Sequence, residues 1–557
     1  MVSPPLPSLP SASLAVLVLI GIIVIARWSR NWTTYPSRAA GFLSGPWAPV
    51  VAGVVTAVAV RIVCGSFHEP GVAHDERAYL LQAEIFASRH LTAPSPPIED
   101  FFEQLHVFIE PAVFAKYPPA HALMLVPGIW LGLPGLMPAL MTGLAGALVF
   151  SLARRLASEW TALLTWWLWT TGWANLHWSA SYFSETTSTA MWLIAVWATI
   201  RWLDSGRRTY LLFVAAALAW GFNTRPLTMA ALALPLALVI LRRVMATKAW
   251  RTLAAPVVLG TAILALGPLW NQHTLGDWRL DPWSEYSRVY FPFDKPGFGA
   301  DPAPPRRRLV PEMTAVGEVT RDVHAAHVLR SLPSAFALRL LGILLWCSDG
   351  WRLAIGVLIV AAALRASGVE RAGVLTIALL LLTYLIFAHP PIWTLYYVEV
   401  LPIFNFLAAR EIGRVIRMVS GLGPGAAPGV QWPAAAANAS LAIALLLLPF
   451  GVNDVRRVRV ANDVRSAFHR DADAALARLP PEKAIVFVRY PPSQNPHLGL
   501  TRNEPDLAAA RLWVVYDRGA RNAELRALAP DRAAYRLDAG TMRLERLQSS
   551  EPSGSAR

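Results

Sequence analysis

The residues best suited to chemistry open a long polar connection just past the second apolar run: His74-Asp75-Glu76-Arg77-Ala78-Tyr79. Two adjacent carboxylates near a membrane surface can bind a divalent metal such as Mg or Mn. Alternatively, one of them can take a proton from an acceptor hydroxyl. From Arg77 to Arg89 the apolar residues Tyr79, Leu80, Ala83, Phe86 and Ala87 recur at helical spacing, which predicts an interfacial helix with Asp75 at its N-terminal end. The same spacing has a plainer reading, in which Asp75 and Glu76 merely cap that helix and favour its dipole. Spacing alone leaves both open. Later in the connection come His106-Val-Phe-Ile-Glu110 and Lys116-Tyr117-Pro118-Pro119. The two prolines restrict the chain before the apolar stretch 120–134, too short to span, so a re-entrant or surface helix is expected there. Lys116 could hold a phosphate or simply be solvated.

Other polar residues fall at the same ends of apolar runs. Glu185 sits in Tyr182-Phe-Ser-Glu, Arg225 in Asn223-Thr-Arg-Pro, and Arg61 inside the second apolar run near its end. Ionisable groups at such depth are costly and face a cavity or a partner. Arg61 and Arg225 could grip phosphate oxygens in a fork, or snorkel to the headgroups. A second long connection offers Asn271, Trp283, Tyr286, Tyr290 and the run Arg306-Arg307-Arg308; Tyr396 and Tyr397 open a later apolar run. The aromatics suit stacking on sugar rings or anchoring at the interface, and the arginine run reads as a solvated face.

What must position these residues is a set of membrane helices. Hydrophobic residues make up 55% and charged residues 15%, well under the roughly 25% charged of soluble domains. About twelve runs are candidates to cross: 11–27, 46–64, 135–153, 160–178, 183–203, 209–223, 226–242, 252–270, 350–366, 372–388, 397–413 and 431–450. Several are short, and the 209–242 pair could be a hairpin that does not fully cross. The run at 11–27 lacks a basic n-region and a cleavage site, so it reads as a helix and not a removable signal. Alternate connections carry the arginines: Arg27, Arg30 and Arg38; Arg154 and Arg155; Arg201, Arg207 and Arg208; Arg242 and Arg243; Arg365 and Arg371; Arg410, Arg414 and Arg417. By the positive-inside rule these face the cytoplasm, which places 65–134, 271–349 and the tail after 450 outside. The net charge of +14 is therefore read as a topology signal and not as nucleic-acid binding. Cys64 and Cys347 are too few for a metal cage, though one bridge between them stays open.

After 450 the chain changes character. Residues 461–479 read as an amphipathic helix, and Ala484–Val488, Leu512–Tyr516, Ala533–Leu537 and Met542–Leu547 as strands. The expected organisation is an extra N-terminal helix and inner loop at 1–45, a helical membrane domain at 46–450, a small α/β domain at 451–548 and a disordered tail at 549–557. The Gly- and Pro-rich stretch 418–430 reads as a flexible inner loop. The fold class is an all-α polytopic membrane protein with a small C-terminal α/β domain.

Together these residues resemble the GT-C superfamily of polyprenyl-phosphate-sugar glycosyltransferases, the class of protein mannosyltransferases and aminoarabinose transferases. The likeness rests on Asp75-Glu76-Arg-Ala-Tyr opening the first outer connection, where the family keeps its catalytic carboxylate, and on Lys116-Tyr-Pro-Pro, similar to the family's Lys-Pro-Pro. It also rests on Tyr182–Glu185 followed by Asn223-Thr-Arg-Pro, and on Asn271–Gly299 followed by Tyr396-Tyr397. It looks nearest to a poorly characterised bacterial branch in which Asp517-Arg-Gly-Ala-Arg-Asn522 through Tyr535 recurs. The chain departs from the family in its extra N-terminal helix and in having Arg225 where Lys is frequent.

The resemblance implies that Asp75 deprotonates an acceptor hydroxyl, which attacks the anomeric carbon with inversion. Glu76 orients the base or joins a metal site; several relatives need no metal. Lys116, Arg225 and Arg61 would stabilise the leaving phosphate, with His106, Tyr117, Glu185, Tyr286, Tyr290, Tyr396 and Tyr397 lining the substrates. The implied partners are a polyprenyl-phosphate-linked sugar and the bilayer, and the implied location is a bacterial inner membrane. A transporter would need two matching halves with broken helices, which the sequence lacks. A non-catalytic lipid-binding or envelope-assembly protein remains the alternative.

Overall fold

The protein is described here by a computed structural model, in which residues 9–421 and 433–547 are placed, except 493 and 496. Most of the expected inner loop at 418–430 and the tail from 549 lie outside the described residues. Among the described residues, eight helices are long and apolar enough to cross a bilayer. Shorter or more buried ones, including Glu159–Thr170, Thr209–Phe222, Leu353–Leu364 and Leu401–Val419, pack between them.

The basic connections gather at one end of this bundle. Arg154 donates to the carbonyls of Leu43 and Gly45 at 3.0 and 2.8 Å. Arg155 pairs with Asp204 at 2.7 Å, Arg365 with Glu411 at 2.7 Å and Arg410 with Glu370 at 2.9 Å. The two long connections meet at the other end. The alternation of arginines along the sequence is thus an alternation of helix ends in space.

Several boundaries differ from expectation, each for a physical reason. Residues 160–178 form two helices, Glu159–Thr170 and Trp173–Ser179, with Gly172 in an extended conformation between them. The second long connection is not loop throughout, because Leu329–Cys347 is long and apolar enough to count as a span. Yet it starts and finishes at the same end of the bundle. Before it, His327 Nε2 lies 2.9 Å from the Leu385 carbonyl; within it, Arg339 donates to the Tyr384 carbonyl at 2.7 Å. Just past it, Arg352 donates to Asp454 at 2.7 Å and to Thr171 at 2.6 Å. The helix lies along that end and leaves the alternation intact.

The separate helices expected at 431–450 and 461–479 are one, Ala434–Leu476, 43 residues long. At about 1.5 Å per residue it crosses a bilayer and runs about as far again beyond it. The polar Asn453-Asp454 pair falls between the two expected helices. Asp454 is neutralised by Arg352, so the helix continues through it. Beyond this helix the sheet has the order 512–516, 484–489, 533–538, 543–546, parallel except for the last pair. The expected strands are all present, with Ile485, Phe487 and Val515 fully buried in its core. Cys64 and Cys347 are free thiols, so no bridge joins them.

The two long connections are locked together by an arginine assigned from the sequence to a solvated face. Arg307 pairs with Glu103 and Glu110 at 2.8 Å each, and also with Glu99. The Arg306 and Arg307 backbone N–H groups donate to the Val289 carbonyl at 3.0 and 3.3 Å, beside the buried Tyr290, and the guanidinium lies among three carboxylates of the first connection.

Candidate active site

The helix His74–Ala87 begins where the sequence places it, and its first turn separates the two adjacent carboxylates. Glu76, at the third helical position, accepts the backbone N–H of Ala73 at 3.2 Å, the N–H of Tyr182 at 3.1 Å and Arg465 at 2.7 Å. Its two oxygens are fully used and it is buried. Glu76 thus caps the helix start and anchors Arg465, and its partners are not those of Asp75.

Asp75 turns to other partners. It accepts the Tyr117 hydroxyl, lies 3.6 Å from His106 Nε2, and keeps 37% of its side chain exposed. Burial would raise its pKa. His106, the Tyr117 hydrogen bond and Lys116 more than offset this and hold the carboxyl below its usual range. His106 goes the other way. Burial, reinforced by Lys116, lowers its pKa to about 3 despite Asp75, so at neutral pH it is an uncharged imidazole. His106 adopts φ 67°, in the left-handed region, where its backbone N–H reaches the Tyr286 hydroxyl at 2.9 Å.

Lys116 is carried beside this pair by a two-residue hairpin, Val107–Phe108 against Phe114–Ala115. Its ammonium sits 5.0 Å from the Tyr286 ring, 5.5 Å from Tyr117 and 5.8 Å from Trp283, an aromatic setting that favours a cation. Asp294 lies 3.8 Å from Lys116 and 3.5 Å from His324. Burial lowers the pKa of Lys116, with Asp294 and Asp75 opposing. Tyr286 and Tyr290 stack on each other at 4.4 Å inside the apolar core, so Tyr290 supports the site without facing it.

A second cluster lies deeper. Arg225, just before the helix Pro226–Thr247, pairs with Glu185 and lies 3.3 Å from Glu399. It also donates to the Tyr384 hydroxyl at 3.3 Å, and Ser188 donates to Glu399 at 2.5 Å. Both carboxylates are essentially inaccessible. The Tyr396 ring centroid lies 5.8 Å from the guanidinium, while Tyr397 is buried against His389 at 2.9 Å. Tyr79 joins the two clusters: its ring stacks on Tyr117 at 4.5 Å and its hydroxyl donates to Ser184 at 3.2 Å, which also accepts Arg225 at 3.4 Å.

Not every expected residue joins. Arg61 packs over the Phe67 ring at 4.8 Å, apart from both clusters. Sequence reasoning missed Asp294, His324 and Tyr384 as site residues. Asp294 stands in the Asn271–Gly299 stretch, two residues before Pro296, and that position was its only signal. For a divalent metal, the donor set does not fit. Asp75 and Glu76 share no common partner, and among the described residues there is no group of three His, Cys, Asp or Glu placed to hold one.

Residues 135–269 match the family described as dolichyl-phosphate-mannose-protein mannosyltransferase. The resemblance read from the sequence is borne out over that segment. No curated protein matches the chain. Among solved structures, the chain is similar to ArnT from Cupriavidus metallidurans bound to undecaprenyl phosphate, at 16% identity and TM-score 0.44, covering 82% of this chain and 84% of that one. It is also similar to the archaeal oligosaccharyltransferase AglB from Archaeoglobus fulgidus in complex with an inhibitory peptide and a dolichol-phosphate, at 12% identity and TM-score 0.34 over 80% and 62%. A third is arabinosyltransferase EmbB from Mycobacterium smegmatis, at 14% identity and TM-score 0.37 over 84% and 45%.

Proposed function

We propose that this chain, which matches the dolichyl-phosphate-mannose-protein mannosyltransferase family over residues 135–269, is a GT-C glycosyltransferase that moves a sugar from a polyprenyl-phosphate carrier to an acceptor hydroxyl with inversion. The observation that carries the reading is Asp75: ionised, part exposed, and bonded to Tyr117 beside a neutral His106. A carboxylate so placed can accept the hydroxyl proton as the acceptor oxygen attacks the anomeric carbon. The bond from that carbon to the phosphate oxygen breaks, and its electron pair leaves on the polyprenyl phosphate. Lys116 stands next to Asp75 and is the cation for that developing charge. Arg225 already carries two carboxylates, so its charge reaches a phosphate only by exchanging one of them. No step passes through a metal.

The lipid tail stays in the bilayer, and the acceptor meets Asp75 at the end of the bundle that bears the long loops. That end faces the cell exterior if the arginine-rich connections face inward. The test is the stereochemistry of the product. Purified protein given an α- or β-linked polyprenyl-phosphate sugar of known configuration should release or transfer sugar of the opposite configuration, read by NMR. Retained configuration would contradict a single displacement with Asp75 as base. Tight binding of the carrier without any release would favour a non-catalytic lipid-binding protein.

A further inference from the structure

The C-terminal domain reaches the first turn of the Asp75 helix. Gly499 lies so close to His74, the residue before Asp75, that a Cβ on it would come within 3.0 Å of the imidazole Cε1. This stretch is fixed from inside its own domain: His469 Nε2 lies 3.2 Å from the Gly499 carbonyl, and the Leu500 N–H donates to the Tyr490 hydroxyl at 2.6 Å. The His497 ring stands 6.4 Å from the His74 ring. Burial lowers the pKa of His497 and outweighs the opposing pull of Asp75.

The domain is also fixed in place over the site. Arg518 donates twice to the Asp100 carbonyl, at 2.8 and 3.1 Å, and pairs with Glu312 at 3.1 Å; Arg521 pairs with Asp100 at 2.7 Å. Asp100 belongs to the first long loop and Glu312 to the second. The Asp517–Asn522 motif noted in the sequence thus docks the domain on both loops at once.

Asp75 therefore has two distinguishable sides. Toward the bundle stand Tyr117, Tyr79 and, through Ser184, Arg225. Next to Asp75 in the chain stands His74, whose ring lies 6.4 Å from that of His497 and against Gly499. A polyprenyl chain must remain in hydrocarbon, so the donor takes the bundle side. We propose that His497 and the Gly499 turn form the acceptor-side rim of the Asp75 pocket, so that the C-terminal domain determines which hydroxyl reaches the base. This inference rests on the proposed transferase function.

The test separates acceptor choice from chemistry by measuring a partition. Full-length protein in nanodiscs is given radiolabelled polyprenyl-phosphate sugar together with a cell-envelope fraction of the source organism. Sugar joined to envelope material is then divided by sugar released into water. In His497→Ala this ratio should fall at least about tenfold, since a hydroxyl acceptor is no longer held against water, which competes for the same site. His497→Gln, which keeps bulk and a side-chain N–H, should recover part of it. Gly499→Ala, which presses on His74, should lower it as well. A ratio equal to wild type in His497→Ala and Gly499→Ala would overturn the proposal. A wild-type protein that cleaves no donor would instead remove the transferase reading itself, and this inference with it.

Discussion

Two acid–base clusters stand one behind the other, and they have opposite electrostatic designs. Around Asp75 the carboxylate keeps 37% exposure and one direct hydrogen bond from Tyr117, and its nearest cation, Lys116, is shared with Asp294. Around Arg225, two carboxylates at 1% exposure or less close on a single guanidinium that is 10% exposed. A proton acceptor must be reachable and must have unfilled hydrogen-bonding capacity. A clamp must be dry, because a buried ion is tolerated only with its partners; Oε1 of Glu185 and of Glu399 meets Arg225, while the buried Oε2 of each carries no hydrogen bond. Under the proposed function this contrast fits chemistry at the first cluster and the holding of the helix ends at the second, whereas the sequence expects Arg225 to grip phosphate and Glu185 to line the substrates.

This contrast can be broken by substitution. The largest stability effect is expected from Arg225→Ala, which leaves Glu185 and Glu399 buried without a counter-charge. A loss of about 3–5 kcal/mol is typical when one partner of a buried pair is removed, read as a lowered Tm in detergent. If the Tm held and only turnover fell, Arg225 would be a substrate ligand and not a clamp. Lys116→Met should act in the reverse manner. The side chain fits the same aromatic setting, so folding should survive, while release of polyprenyl phosphate should fall by about 10²–10³, the usual scale for one transition-state charge partner.

Glu76→Gln should cost about 1.5–3 kcal/mol through its weakened bonds to Arg465 and the helix start, as for hydrogen bonds to charged groups. Turnover should follow the loss of fold and not precede it. The smallest effect sharpens the role of the loop lock. Burial raises the pKa of Glu103 from its ordinary 4.5 to about 7, with Arg307 opposing. Its stabilising contribution is thus complete below about pH 4.5 and is lost as pH rises through 7. Between pH 6 and 8 the first loop should lose about 1 kcal/mol of protection, measured by hydrogen exchange, and Glu103→Gln should abolish that dependence.

Much of the fold was legible because membrane helices obey length and charge rules that act locally along the chain. The arginines of alternate connections identified the helix ends, and the four strands of the C-terminal domain were visible as short apolar runs between turns. The sequence misled where a distant residue overrides a local signal. The helix 434–476 reads as two in the sequence, and Asp454 between them is neutralised by Arg352, 102 residues away. Arg307 reads as solvated until three glutamates about 200 residues earlier close on it.

The site shows the same division. Asp75 was legible from its place after an apolar run and at a helix start. Glu76 beside it was not separable by spacing, because its role is fixed by Arg465, 389 residues later. Asp294 and Glu399 stand beside residues the sequence did single out, but their partners Lys116 and Arg225 lie far earlier in the chain, and no local spacing joins them.

The most direct test sets Asp75→Asn beside Glu399→Gln in one assay, with purified wild type as reference and release of polyprenyl phosphate from labelled donor as the readout. Asparagine keeps the size and the Tyr117 contact but cannot take a proton. Release should fall by about 10²–10⁴ in Asp75→Asn, the range for loss of a general base, with its Tm near that of wild type. Glu399→Gln should lower the Tm and keep most of the release. Asp75→Asn protein that releases polyprenyl phosphate as fast as wild type, or a Glu399→Gln protein that stays folded and loses release, would contradict the assignment of the base to Asp75 and of the clamp to the deeper cluster.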